Sequence, residues 1–70
     1  MDPDANLIEQ RHVAQDIMRI WDNCPEDGTY TAKQLNDLSY LAMRLAELQV
    51  ALDEWIKGGG FLPAGWRKAS

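Results

Sequence analysis

The sequence predicts an all-α fold: an antiparallel two-helix hairpin over residues 1–57 with an irregular aromatic C-terminal tail over residues 58–70, two copies dimerising into a four-helix bundle. Three observations predict it. Two segments carry helix-start signals followed by apolar residues at helical spacing, and the turn-rich connector Cys24-Pro25-Glu26-Asp27-Gly28-Thr29 separates them. A chain of 70 residues and 7.9 kDa buries only about 60% of its unfolded surface. That margin is thin for a lone helical chain, and self-association is the common remedy.

Helix 1 is expected over residues 3–23. Asp2 caps it, Pro3 at the first position loses no hydrogen bond, and Asp4 suits the positive end of the dipole. At about 100° per residue, Leu7, Val13, Ala14, Ile17, Met18, Ile20, Trp21 and Cys24 share one arc, the expected buried face. Glu9, His12, Asp16 and Arg19 fall outside it, and Ile8 is an apolar exception among polar neighbours. Pro25 ends the helix, because the residue before a proline is pushed towards extended geometry.

Helix 2 is expected over residues 32–57. Thr31 and Gln34 form a capping box, Tyr30 and Leu35 a hydrophobic staple, and Gly58 and Gly59 supply the left-handed conformation that ends helices. Leu38, Leu41, Leu45, Leu48, Leu52 and Trp55 alternate spacings of three and four, the a/d pattern of a coiled-coil seam, and are the candidate self-association residues. Leu35, Ala42, Ala46 and Ile56 widen the strip, while Met43 and Val50 extend it to one side. The shorter helix 1 cannot cover all of it. A homodimer is the expected cover; a monomer closed by its own tail is the alternative.

In the tail, Leu62-Pro63-Ala64-Gly65 has the preferences of a type I turn that brings Phe61 and Trp66 together as an apolar hook. Either the hook closes the hairpin's open end against Trp55 or Trp21, or Phe61, Leu62, Trp66 and Arg67 anchor a protein partner.

Charge narrows the function classes. Residues 1–27 hold seven acids against two arginines, whereas Lys57, Arg67 and Lys68 stand without an acid at the other end, in a chain of net charge −4. An acidic body repels phosphate backbones, so nucleic-acid binding is disfavoured and would rest on the tail's three cations alone. The N-terminal stretch has no basic region followed by an apolar run, and no run approaches 18 apolar residues. Neither a signal peptide nor a membrane span is expected, and the single Cys24 fits a reduced cytoplasmic setting.

No catalytic set assembles from the sequence. Cys24 projects to the buried arc of helix 1 and His12 to its polar side, so a straight helix keeps them apart. In an EF-hand register with Gly28 sixth, Asn23, Pro25 and Gln34 occupy the first, third and twelfth positions, which lack the charged ligands calcium requires. Gly58-Gly59-Gly60 follows a helix C-terminus, whose partial negative charge repels phosphate. A non-enzymatic chain without cofactor or metal is therefore expected.

Ala51-Leu52-Asp53-Glu54-Trp55-Ile56, followed by glycines and Phe61-Leu62-Pro63-Ala64-Gly65-Trp66-Arg67, resembles the ends of short uncharacterised accessory proteins of actinobacterial phages and prophages. The resemblance implies a small accessory protein in an infected or lysogenic bacterial cytoplasm. The combined expectation is a protein-protein interaction module that binds and modulates or inhibits a host protein. A structural subunit of a larger assembly is the alternative, and a nucleic-acid-associated protein the third reading.

Overall fold

A computed structural model describes residues 1–67, so the expected tail cation Lys68 lies outside the described residues. Two helices, α1 (Pro3–Asp22) and α2 (Ala32–Lys57), pack against each other as an all-α hairpin, followed by a 3₁₀ turn at Ala64–Trp66. There is no strand among the described residues.

The local signals act where the sequence puts them. The Asp2 carboxylate accepts from the Asp4 and Ala5 amides at 3.0 and 3.2 Å, with Pro3 opening α1. The Gln34 amide donates to Thr31 Oγ1 at 3.1 Å, while Gln34 Oε1 accepts from the Thr31 amide at 2.8 Å, a complete capping box. Tyr30, expected to staple onto Leu35, instead stacks on Trp21 with ring centroids 5.7 Å apart and donates its hydroxyl to the Trp21 carbonyl at 2.6 Å. This ties the connector to the end of α1 and leaves Leu35 exposed.

The core is a single row between the helices. Leu7, Val13, Leu48 and Leu52 are buried, and one polar side chain, Asn6, is buried with them. Asn6 Nδ2 donates to the Leu48 carbonyl at 3.0 Å, and its Oδ1 accepts from Gln10 Nε2 at 2.6 Å, so its amide is satisfied on both sides. One turn further on, Arg44 makes a two-pronged pair with Glu9 at 2.6 and 2.8 Å. These two contacts fix the sliding register of the antiparallel helices. Met18, Trp21 and Cys24, expected in the buried arc of helix 1, are exposed. The arc points the right way, but a single facing helix covers only its centre.

Helix α2 ends in a Schellman motif, with the Gly60 amide donating to the Trp55 carbonyl and the Gly59 amide to that of Ile56. Gly59 alone takes the left-handed conformation (φ 94°), whereas Gly58 at φ −79° remains near-helical. The tail then folds back over the last turn of α2. Trp55 Nε1 donates to the Phe61 carbonyl at 3.0 Å, and the two rings meet edge to face at 5.6 Å. A Cβ on Gly60 would overlap the Trp55 indole, so this close approach requires glycine.

The expected turn at Leu62–Gly65 is displaced by one residue. Pro63 is extended (φ −56°, ψ 145°), and the Trp66 and Arg67 amides donate to the Pro63 and Ala64 carbonyls. Phe61 accordingly pairs with Trp55 instead of Trp66. The seat of the tail predicts the effect of filling it. Gly60→Ala should cost about 1–3 kcal/mol by overpacking, lowering the thermal midpoint by about 4–8 °C per kcal/mol. Gly58→Ala, whose Cβ meets the Glu54 carbonyl at an ordinary 3.4 Å, should stay within about 0.5 kcal/mol of the parent. Equal midpoints for both variants in a calorimetric scan would contradict the seat.

Candidate interaction surface

The tail is held at several points. The Ala64 amide donates to Asp4 Oδ1 at 2.6 Å, and Arg11 reaches the Gly65 carbonyl at 3.5 Å. Pro63 and Pro3 are both buried. Arg67 donates twice to the Leu62 carbonyl, at 3.1 and 2.8 Å, and its guanidinium lies 5.8 Å from the Phe61 ring centre. The backbone from Phe61 to Arg67 is therefore fixed against both helices. Its side chains are not consumed: Phe61, Leu62 and Trp66 remain 58%, 44% and 48% exposed.

The six expected self-association residues are placed differently. Leu48 and Leu52 are covered within one chain and have no surface to offer another molecule. Leu38, Leu41, Leu45 and Trp55 are half-buried. Helix α1 and the tail take up the centre of the seam, and its flanks remain open.

The two broad faces of the hairpin differ in chemistry. One carries Glu9, Asp16 and Ile20 of α1 beside Asp37, Tyr40, Leu41 and Arg44 of α2. Ion pairs run along it: Asp16 with Arg19, Lys33 with Asp37 at 2.9 Å, and Arg44 with Glu9 and Glu47. The Arg44 guanidinium, chiefly by direct hydrogen bonding, holds the Glu9 carboxyl below its ordinary pKa, and Glu9 in turn raises Arg44. Burial and then the neighbouring Cys24 push the Tyr30 phenol up.

Helical register places Ala14, Met18 and Trp21 of α1, with Leu35, Leu38, Ala42 and Leu45 of α2, on the other face. Of these, Ala14, Met18 and Trp21 are expected from the sequence in the core, and Leu35, Leu38, Ala42 and Leu45 on the strip left for a second copy. The open position of Met18 is readable in its angular distance of about 180° from Glu9, which Leu35 repeats from Arg44.

His12 lies on α1 and Cys24 in the connector beyond its end, and both are exposed. Among the described residues no three His, Cys, Asp or Glu side chains gather to hold a metal ion. No helix among them is long and apolar enough to cross a membrane.

The lowered Glu9 pKa gives a pH prediction. Its folded value lies below its unfolded one, so the pair stabilises the fold above the ordinary carboxylate range and loses that contribution as pH falls through the folded value. Glu9→Gln should be less stable than the parent at neutral pH by urea titration, with the difference narrowing as the pH is lowered through and below the ordinary carboxylate range. A difference unchanged across that range would contradict the pairing. Comparison of the chain with known protein families, curated proteins and solved structures finds no match.

Proposed function

We propose that the chain is a non-enzymatic protein-interaction module that binds another protein through its aromatic tail and modulates or inhibits it. The observation that supports this most directly is the pinned backbone carrying the exposed Phe61, Leu62 and Trp66 side chains. Aromatic residues beside an arginine are the usual anchors of protein interfaces. Fixing their backbone in advance reduces the ordering cost that binding otherwise carries. The resemblance of the C-terminal segment to phage accessory proteins supports a host protein in a bacterial cytoplasm as the target. The role of a structural subunit is the second reading, favoured by the exposed apolar patch of Met18, Trp21 and Leu35.

Affinity capture from a bacterial lysate with the full chain as bait tests the tail. Leu62→Ala with Trp66→Ala leaves the Trp55–Phe61 pair untouched and should weaken capture of the same protein at least about tenfold, with the helical circular dichroism signal retained. Undiminished capture by this variant would overturn the tail as anchor.

A further inference from the structure

We propose that the apolar patch on the other broad face, centred on Met18, Trp21, Leu35, Leu38, Ala42 and Leu45, is the contact surface for a second copy of this chain. The inference goes beyond the tail reading and uses a different surface. It departs from the seam arrangement, because the central seam residues Leu48 and Leu52 are already covered within one chain.

The first argument is area. The chain exposes 5328 Å², about 900 Å² more than the roughly 4,400 Å² that a compact monomer of its mass exposes. A standard specific interface covers about 800 Å² on each partner. The principal extents of 47 × 25 × 14 Å describe a plate one helix layer thick. Stable domains have two packed layers, and the broad face is large enough to receive a second one.

The second argument is chemistry. Met18 and Trp21 are 64% exposed and Leu35 53% exposed, while the charged residues that register brings to the same side, Asp22 one turn beyond Met18 and the Asp53–Lys57 pair near the end of α2, stand at its edges. The chain's net charge of −4 opposes association of two copies. The acids Glu9, Asp16, Asp37 and Glu47 pair with cations on the opposite side, away from this face. An identical apolar patch is its natural complement. Two copies related by a twofold axis, face to face, give a four-helix bundle with the Glu9–Arg44 sides outward.

Sedimentation equilibrium of the full chain up to about 100 µM, a range that reveals micromolar association, tests the proposal. The parent should approach twice 7.9 kDa. Met18→Glu should shift the species to the monomer mass with helicity retained, and Leu35→Glu should do the same from the facing helix. Val50→Glu, on the outer edge of α2, and the double tail variant should leave the dimer intact. A parent that stays monomeric, or a dimer that survives both Met18→Glu and Leu35→Glu, overturns the proposal. A dimer dissolved by Val50→Glu or by the tail variant places the contact elsewhere and overturns it equally. Loss of lysate capture with the dimer intact, or the reverse, separates the tail reading from this one.

Discussion

The rest of the structure depends on a difference in length. At 1.5 Å per residue, α2 with 26 residues spans about 39 Å and α1 with 20 about 30 Å. The Asn6–Leu48 and Glu9–Arg44 contacts fix which end of α2 is left over. Its last turns, carrying Trp55 and Ile56, run past the start of α1. An uncovered tryptophan there is costly, and the Schellman turn at Gly59 and Gly60 redirects the tail to cover it. The same constraint produces both surfaces. Covering the overhang presents the tail's outer side chains, and using the tail at that end leaves the broad face open at the other.

The helices were legible because the signals that start and stop them lie within a few residues of one another. Asp2-Pro3, the Thr31–Gln34 box and the glycines after Lys57 act through local hydrogen bonds and backbone freedom, and all appear as expected. The buried centre of the seam was legible for a similar reason, since spacing alone puts Leu48 and Leu52 on one line. Periodicity gives a direction, however, and not the width of whatever lies opposite. Met18 and Trp21 belong to the apolar arc yet stay exposed on the broad face, because one cylinder shields only a narrow band of another.

The tail was least legible, because its conformation is decided by contacts distant in sequence. Local preference puts Pro63 second in a turn, but the Leu62 carbonyl that would close it accepts from Arg67, the Ala64 amide is held by Asp4, sixty residues earlier, and the turn forms one residue later. Phe61 goes to Trp55 because the helix cap returns the chain over that ring. Asn6 carried a readable signal: with Gln10 it is a polar interruption at i and i+4 in an otherwise apolar arc. Such interruptions mark places where a buried amide has a specific partner to satisfy.

The indole protons of the three tryptophans report whether the tail closes the overhang of α2. Only Trp55 donates its indole N–H within the described residues, to the Phe61 carbonyl. Solvent exchange measured by two-dimensional NMR on the full chain should show one slowly exchanging indole proton, assigned to Trp55, and two fast ones from Trp21 and Trp66. A Trp55 proton exchanging as rapidly as the other two would contradict the docked tail and the architecture built on it.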